Sequence, residues 1–365
     1  MSALLDVDGI GCGYDGERVV ENLSFSLEEG DLCCLLGPSG CGKTTVLRAI
    51  AGFLQPDAGA IHLDGRLLAS AKSSLPPERR RVGMVFQDYA LFPHLSVRDN
   101  LIFGLKERSS REKERISSEL LQLVQLQALG HRFPHELSGG QQQRIALARA
   151  LAPEPRLLLM DEPFSSLDVE LRRALALEVR AILKERGITA IMVTHDQSEA
   201  FAMADRIGVL NRGQLQQWDT PFNLYHEPAT RFVANFIGQG VFLSGSLHNR
   251  YTVRTELGDI EGNRCYDWVD NTPVDILLRP DDVVHDPKSD RKAEVVAKVF
   301  AGTATLYTLQ LPTGSRIQSA FSSHHDYAIG DEVGIRIEAD HLIVFRREEQ
   351  AVGTRQYSPH TTALS

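Results

Sequence analysis

Apolar residues recur in two different patterns along the chain. Up to about residue 238, short apolar runs alternate with longer stretches of helical periodicity, whereas from about 240 to 348 the apolar segments are short and bounded by turns. The runs at 31–36, 156–160 and 189–194 show no polar alternation, which is typical of parallel strands buried on both faces. Because helical stretches separate these runs, the pattern predicts an α/β layer architecture in the first part.

The helical stretches carry recognisable start and stop signals. Ser109 and Glu112 have the spacing of a capping box, and we expect the helix that they open to stop at Gly130. Further helices are predicted over 42–51, 142–152 and 168–186. The last of these should turn one apolar stripe inward, formed by Leu171, Leu175, Val179, Ile182 and Leu183.

The second pattern predicts a small β-barrel or sandwich. Segments 251–254 and 305–309 alternate in polarity, and turn signals follow each of them at 257–259 and 312–314. We therefore expect an α/β domain over 1–238, a β-rich domain over 239–350 and a polar tail over 351–365.

Composition narrows the class of protein. The 365 residues are 42% hydrophobic and 24% charged, which is ordinary for a soluble globular protein, and the net charge of -9 gives no overall basic footprint for nucleic acid. No apolar run approaches the roughly 20 residues that a membrane-spanning helix needs, and the amino terminus has no secretory-signal pattern. The odd number of cysteines favours reduced thiols over disulfides or a zinc site: Cys12, Cys33, Cys34, Cys41 and Cys265. His324, His325 and Asp326 are expected to form a polar turn rather than a metal-ligand set.

The segment after the first apolar run has the pattern G-x-x-x-x-G-K-[ST] of a phosphate-binding loop. Its glycines allow a tight turn with N–H groups pointing at phosphate oxygens, and the following helix adds its positive end. Lys43 would contact the β and γ phosphates and Thr44 would bind Mg²⁺, whereas Cys41 has no predicted catalytic role. The predicted nucleotide-binding residues of this segment are Gly37, Pro38, Ser39, Gly40, Cys41, Gly42, Lys43, Thr44 and Thr45.

Two acidic residues, Asp161 and Glu162, follow the second apolar run. In an open α/β sheet the carboxyl ends of the strands are where ligands bind. We expect Asp161 to hold Mg²⁺ and Glu162 to orient or deprotonate the attacking water, although two such acids alone could equally form a helix cap.

A third segment, Leu137 to Gln141, opens a helical run, and from this point the first part of the chain resembles the ATP-binding cassette (ABC) family. Ser138 can cap a helix whose free N–H groups point at an anion, and two glycines allow close approach to phosphate. The stretches that resemble family motifs are 37–44 (Walker A), 157–162 (Walker B), 137–141 (signature), 86–88 (Q-loop), 166–168 (D-loop) and 194–196 (switch histidine).

The resemblance implies ATP and Mg²⁺ as cofactors and a homodimer with two ATP molecules at its interface. It implies that His195 contacts the γ-phosphate, that Gln87 ligates Mg²⁺ and senses the attacking water, and that Tyr14 stacks on adenine. The residues that would close over the nucleotide of the partner subunit are Ser138, Gly139, Gly140, Gln141 and Asp168.

Segments 277–283 and 299–303 resemble the OB-like regulatory (TOBE-type) domain of bacterial importer ATPases. This likeness implies a subunit on the cytoplasmic face of the bacterial inner membrane, with two permease subunits or one fused permease and a periplasmic solute-binding protein. The apolar segment 87–95 could be core or a docking groove for the permease. The second domain could sense a ligand or serve as a dimer scaffold.

The stretch 75–94 looks most like ferric-iron importer ATPases, so ferric iron is the expected cargo. Polyamine, sulfate, sugar or another small solute is the alternative. A non-transport ABC ATPase acting on nucleic acid or ribosomes is a more remote one, because the chain has one cassette and an acidic balance.

Overall fold

A computed structural model describes residues 3–347 of the chain. The fold divides into two compact units, one up to Gly238 and one from Gln239 onward. The predicted polar tail, 351–365, lies outside the described residues, as do residues 348–350 at the end of the predicted β-rich domain.

The first unit contains strands and helices in alternation after an initial hairpin. Its strands are β1 Leu5–Tyr14, β2 Glu17–Leu27, β3 Leu32–Leu36, β4 Ala58–Leu63, β5 Arg66–Ser70, β6 Ser73–Ser74, β7 Val82–Val85, β8 Leu157–Asp161, β9 Ala190–Thr194, β10 Arg206–Asn211 and β11 Gln214–Asp219. Its helices are α1 Lys43–Ala51, α2 Val97–Ile102, α3 Ser110–Leu123, α4 Gly139–Leu151, α5 Val169–Glu185, α6 Gln197–Met203, α7 Pro221–His226 and α8 Arg231–Phe236. Short 3₁₀ turns occur at Pro77–Arg79, Gln127–Leu129 and Pro134–Glu136.

The three unalternating apolar runs form the centre of a largely parallel sheet, as predicted. Its strand order is β11-β10-β3-β9-β8-β7, with only β11 antiparallel to its neighbour. Every residue of β3, β8 and β9 is buried. The register pairs Leu36 with Thr194 and Asp161 with Val193, so the loops that follow these strands emerge at one edge.

An antiparallel sheet of order β2-β1-β4-β5-β6 lies against α1 and one face of the parallel sheet. Val46, Leu47 and Ile50 of α1 belong to the same buried cluster as Leu159 and Val193 of the parallel strands. Most of the remaining helices pack on the opposite face. Helix α1 is therefore held between two sheets, which fixes the loop that precedes it.

Arg80 anchors the carboxyl end of α1. Arg80 is 1% exposed, and its guanidinium donates to the carbonyls of Ala49 (2.7 Å), Ile50 (2.8 Å) and Leu75 (2.7 Å), and to Ser74 Oγ (2.7 Å). The last carbonyls of a helix have no intrahelical donor and carry its negative end, so a buried cation is favourable there. Burial nevertheless lowers the pKa of Arg80.

The helix that begins after Ser109 ends earlier than predicted. Ser109 and Glu112 form the expected capping box, but α3 stops at Leu123 rather than near Gly130. Gln125 adopts a left-handed φ of 59°, and the N–H groups of Gln125 and Leu126 return to carbonyls in the last turn, which is the pattern of a Schellman motif. The stop signal is thus a glutamine and not the glycine.

Two further helix predictions need correction. Helix α4 begins at Gly139, three residues before the predicted start, because Ser138 is its N-cap. Helix α5 follows Asp168 as predicted, but Leu171 is 40% exposed instead of facing inward. Leu175, Val179 and Leu183 are buried as predicted, and Ile182 is half-buried.

The second unit consists of β-strands around one core. Its strands are β12 Val241–Asn249, β13 Thr252–Thr255, β14 Gly258–Glu261, β15 Pro273–Leu278, β16 Val283–His285, β17 Lys292–Phe300, β18 Ala304–Gln310, β19 Arg316–Ser322, β20 Glu332–Ile337 and β21 Ile343–Arg346. They form two sheets of order β14-β13-β12-β15-β21 and β16-β20-β17-β18-β19, whose inner faces share one buried cluster. His324 lies in the turn after β19. Across residues 3–347, none of the helices combines the length and apolar character needed to cross a membrane.

Candidate functional site

The predicted phosphate-binding loop connects the end of β3 to the start of α1. Gly40 and Gly42 have φ values of 79° and 106°, a region that other residues rarely adopt. Gly37 packs so tightly that an added Cβ would lie 2.3 Å from the carbonyl oxygen of Leu210. The glycines thus let the loop curl back on itself immediately before the amino end of α1.

Lys43 is buried in the concave side of this loop. Its Nζ donates to the carbonyls of Gly37 at 2.7 Å and Pro38 at 3.0 Å, and lies 3.8 Å from Cys41 Sγ. The ammonium therefore lies at the centre of the loop, where phosphate oxygens would be bound. Burial raises the pKa of the Cys41 thiol, although Lys43 partly opposes this.

The structure brings together two of the three predicted magnesium ligands, Thr44 and Asp161, which are 117 residues apart in sequence. Thr44 Oγ1 donates to Asp161 Oδ1 at 3.0 Å. Burial raises the pKa of Asp161, and the hydrogen bond from Thr44 partly offsets the rise. A hydroxyl and a buried carboxylate beside the lysine form an oxygen donor set that fits Mg²⁺, which combines such ligands with substrate phosphates.

Glu162 and His195 meet at the same edge of the sheet. His195 Nδ1 lies 3.3 Å from Glu162 Oε2. Glu162 has a left-handed φ of 43°, and its N–H donates to the carbonyl of Val193 at 3.0 Å. This hydrogen bond joins Glu162, the residue after β8, to β9, the strand that leads into His195. The backbone therefore holds the two residues in a fixed position relative to each other.

The turn that carries His195 is held by its neighbours. Thr194 Oγ1 donates to Glu199 at 2.5 Å and accepts from the N–H of Asp196 at 3.0 Å. Asp196 in turn caps α6 by accepting from the N–H of Glu199. Burial raises the pKa of Glu199, which is 3% exposed.

The signature segment begins α4 with a reciprocal cap. Ser138 Oγ accepts from the N–H of Gln141 at 3.4 Å, and Gln141 Oε1 accepts from the N–H of Ser138 at 3.0 Å. A Cβ on Gly139 would lie 3.2 Å from Leu167 in the predicted D-loop. Ser138 and Gly139 are exposed, and among residues 3–347 no hydrogen bond or ion pair joins the signature to the phosphate loop of the same chain.

Gln87, Tyr14 and Asp168 lie at exposed positions. Gln87 follows β7, whose pairing with β8 directs it to the edge that also carries Asp161. Tyr14 ends β1 and is 41% exposed, and Asp168 caps α5 by accepting from the N–H of Leu171 at 2.9 Å. Neither the side chain of Gln87 nor that of Tyr14 makes a hydrogen bond or ring contact within the described part of the chain.

The apolar segment 87–95 is neither wholly core nor wholly surface. Tyr89 is buried and its hydroxyl hydrogen-bonds to Ser166, whereas Phe92 is half-buried and its ring centroid lies 4.2 Å from that of Phe103, which is 47% exposed. Arg149 donates to the carbonyls of Ala90 (2.6 Å) and Tyr89 (3.0 Å). Arg149 thus supports two residues, Tyr89 and Ala90, that have positive φ. Nothing in the sequence predicts this role, since arginine and carbonyl are about 60 positions apart.

Comparison with known proteins identifies matches for both units. Residues 20–165 match the family model described as ABC transporter, and residues 276–345 match the model described as TOBE domain. The chain is 40% identical over 363 residues to the putrescine transport ATP-binding protein PotG of Escherichia coli, covering 94% of this chain and 95% of that protein. It is 39% identical over 353 residues to the spermidine/putrescine import ATP-binding protein PotA of Clostridium acetobutylicum, covering 95% and 97%.

These matches confirm the predicted fold class, an α/β P-loop nucleotide hydrolase with a helical subdomain followed by an all-β OB-like domain. They also bear on the expected cargo. Both relatives carry the names of polyamine transport proteins, and neither name mentions iron. The expectation of ferric iron is therefore unsupported, and the polyamine alternative is favoured instead.

Proposed function

Because the chain belongs to the ATP-binding subunits of ABC importers, we propose that it hydrolyses ATP at the site around Lys43 to energise the import of a polyamine. The family membership rests on relatives of about 40% identity that cover nearly the whole chain. The observation that carries the site assignment is the contact of Thr44 with Asp161 beside the buried Lys43.

In this proposal the phosphates of ATP replace the carbonyl partners of Lys43. The Lys43 ammonium already lies inside the loop, so a β- or γ-phosphate oxygen can take the place of the Gly37 and Pro38 carbonyls without a large side-chain movement. Loop N–H groups and the amino end of α1 add further positive potential. Tyr14 would contribute by stacking on the adenine.

Thr44, Asp161 and Gln87 would hold Mg²⁺, which when bound neutralises charge on the β and γ phosphates. Glu162 then orients the attacking water and accepts its proton. His195 contacts the γ-phosphate, and its Nδ1, 3.3 Å from Glu162, keeps the carboxylate aimed at the reaction site.

A second subunit completes the pocket in this proposal. Of the signature residues Ser138 to Gln141, Ser138 and Gly139 are exposed at the amino end of α4, and the positive end of this helix suits the segment to bind the nucleotide held by another copy. Asp168 lies beside the signature in the same chain and would face the same interface. A γ-phosphate shared in this way links ATP binding to subunit closure, and hydrolysis releases it.

Polyamine as the cargo follows from the two relatives, and the cargo itself would pass through other subunits. We propose that the chain acts as a peripheral subunit at the cytoplasmic face of the bacterial inner membrane. It would work with two permease subunits or one fused permease and with a periplasmic solute-binding protein. Segment 87–95, with its half-exposed aromatic rings, is the proposed contact with the permease.

The catalytic assignment is tested with Glu162→Gln in the full-length chain. Glutamine keeps the shape of the side chain but cannot accept a proton, so ATP turnover should fall by about 100-fold or more while ATP still binds. In size-exclusion chromatography with Mg²⁺ and ATP, this variant should elute as a dimer. Glu185→Gln, an exposed change near the end of α5, is the matched control and should hydrolyse ATP normally.

The cargo is tested with the complete importer in proteoliposomes. ATP turnover is measured with putrescine, spermidine, ferric citrate or sulfate, each added with a saturating amount of the solute-binding protein encoded beside the permease. Stimulation and uptake by a polyamine alone support the proposal. Stimulation by ferric citrate or sulfate but not by a polyamine would refute the cargo while leaving the ATPase assignment intact.

A further inference from the structure

Arg172, on the first turns of α5, contacts two of the motifs at once. Its Nη2 donates to the carbonyl of Leu167 at 2.9 Å, immediately before Asp168. Its Nη1 lies 3.2 Å from Asp196 Oδ2, and its Nε lies 3.3 Å from Glu199 Oε1. We propose that Arg172 is a positioning residue that locks the D-loop to the turn carrying His195. This inference rests on the catalytic roles proposed for Glu162 and His195.

The electrostatics make Arg172 necessary for the shape of this turn. Glu199 is 3% exposed and Asp196 is its neighbour across the same turn, so two carboxylates converge in a partly buried place. Burial is the largest cause of the raised pKa of Glu199; Asp196 raises it further, and Arg172 opposes the rise. Loss of the guanidinium leaves the two carboxylates in direct repulsion, which favours a protonated Glu199 or a displaced turn.

A series of contacts connects Arg172 to His195 and Glu162. Glu199 accepts from Thr194 Oγ1, and the N–H of Asp196 donates to the same hydroxyl. His195 lies between Thr194 and Asp196 in the sequence, and its Nδ1 is 3.3 Å from Glu162 Oε2. A shift of the turn therefore moves His195 relative to Glu162, whereas among residues 3–347 no hydrogen bond or ion pair joins Arg172 to the phosphate loop.

The same pair of helices provides a built-in comparison. Arg180, two turns further along α5, donates to the carbonyl of Met203 at 2.5 Å and to Asp205 at 2.7 Å. Both arginines thus tie α5 to the region of α6, and they are similarly buried, at 20% and 31% exposure. Of these two arginines, only Arg172 contacts the D-loop and the turn carrying His195. Comparing variants at the two positions therefore separates a positioning role from a merely structural one.

The test compares R172Q, R172K and R180Q in the full-length chain, with ATP turnover, KM for ATP and the melting temperature measured for each. R172Q should lower kcat by about 10- to 100-fold, the effect of misplacing catalytic groups, while KM stays within about threefold of the wild type. R180Q should lower the melting temperature but keep kcat within about twofold.

R172K separates charge from geometry. Lysine returns a positive charge to Glu199 and Asp196, so the melting temperature should return towards that of the wild type. It lacks the planar fork that hydrogen-bonds to the Leu167 carbonyl and the Asp196 carboxylate at once, so kcat should remain reduced. If R172Q does not fold, R172K alone decides, because a lysine variant with wild-type kcat overturns the proposal.

Two further results would overturn the proposal. One is a folded R172Q with wild-type kcat. The other is a kcat that falls in R172Q and R180Q in the same proportion to their loss of melting temperature, which would assign Arg172 a structural role. Normal hydrolysis by Glu162→Gln would instead refute the catalytic assignment on which this inference depends, and so distinguishes the two failures.

Discussion

Replacing Arg80 by methionine should destabilise the first unit by about 3 kcal/mol. The change keeps an unbranched side chain of similar length but removes every donor to the carbonyls of Ala49, Ile50 and Leu75 and to Ser74 Oγ. A hydrogen bond from a charged donor contributes about 1.5–3 kcal/mol, so the three carbonyls alone account for about 5–9 kcal/mol. Burying the charged guanidinium itself costs several kcal/mol, and its removal offsets that part of the lost hydrogen-bond energy. The net loss is therefore about 3 kcal/mol.

The expected loss is a large share of the roughly 5–15 kcal/mol by which domains of this kind are stable. It should also loosen the carboxyl end of α1, whose amino end forms the phosphate loop. ATP should therefore bind more weakly to the folded variant than to the wild type.

Urea denaturation followed by tryptophan fluorescence measures the effect. The chain has two tryptophans, Trp218 in the first unit and Trp268 in the second, so a Trp268→Phe background reports on the first unit alone. Arg79→Met, at an exposed neighbouring position, is the matched control and should lie within about 0.5 kcal/mol of the parent. A loss below about 1 kcal/mol for Arg80→Met would refute the view that these hydrogen bonds hold α1.

Three further predictions concern the loop and the second unit. Lys43→Ala should raise the dissociation constant for ATP by at least about tenfold, as measured with a fluorescent ATP analogue, because the central charge of the loop is lost; unchanged binding would contradict the loop assignment. Maleimide should modify Cys41 more slowly than the exposed Cys265, since burial raises the pKa of the Cys41 thiol. Saturating ATP should slow the modification of Cys41 further. Peptide mapping by mass spectrometry measures the two modification rates, and equal rates for Cys41 and Cys265 would contradict the burial of Cys41. Burial raises the pKa of Asp282 from 3.8 to about 6, so between these values the folded state holds a proton that the unfolded state releases. The free energy of unfolding of the second unit should therefore fall by at most about 3 kcal/mol as pH rises from about 4 to 6. Urea midpoints measured over this pH range should fall less steeply for Asp282→Asn than for the wild type. The same slope in both proteins would contradict the assignment to Asp282.

The fold and the centre of the site could be predicted because their signals are local. Three unalternating apolar runs and a glycine-rich loop between a strand and a helix define the parallel sheet and the phosphate loop from neighbouring residues alone. The pairing of Thr44 with Asp161 then follows, since parallel strands bring their carboxyl ends to one edge.

The parts that the sequence could not predict depend on contacts between distant segments. Arg80, Arg149 and Arg172 look like ordinary surface arginines in the sequence. Arg80 and Arg149 nevertheless donate to backbone carbonyls of other elements, and Arg172 pairs with the carboxylate of Asp196 beyond the end of its own helix. The early end of α3 has a related cause, because Gln125 takes the left-handed conformation that glycine usually supplies. Leu171 fits the inward stripe by periodicity, but its place at the first turn of α5 leaves it 40% exposed.

The two carbonyl bonds of Lys43 have a consequence for the turnover cycle. At the proposed nucleotide site, the carbonyls of Gly37 and Pro38 compete with phosphate oxygens for the Lys43 ammonium. If ATP binds as proposed, its phosphates have to displace both carbonyls, and this displacement lowers the net affinity of the loop for the nucleotide. When ADP leaves in the proposed cycle, the same carbonyls would accept from the ammonium again, so the buried charge would keep hydrogen-bond partners throughout.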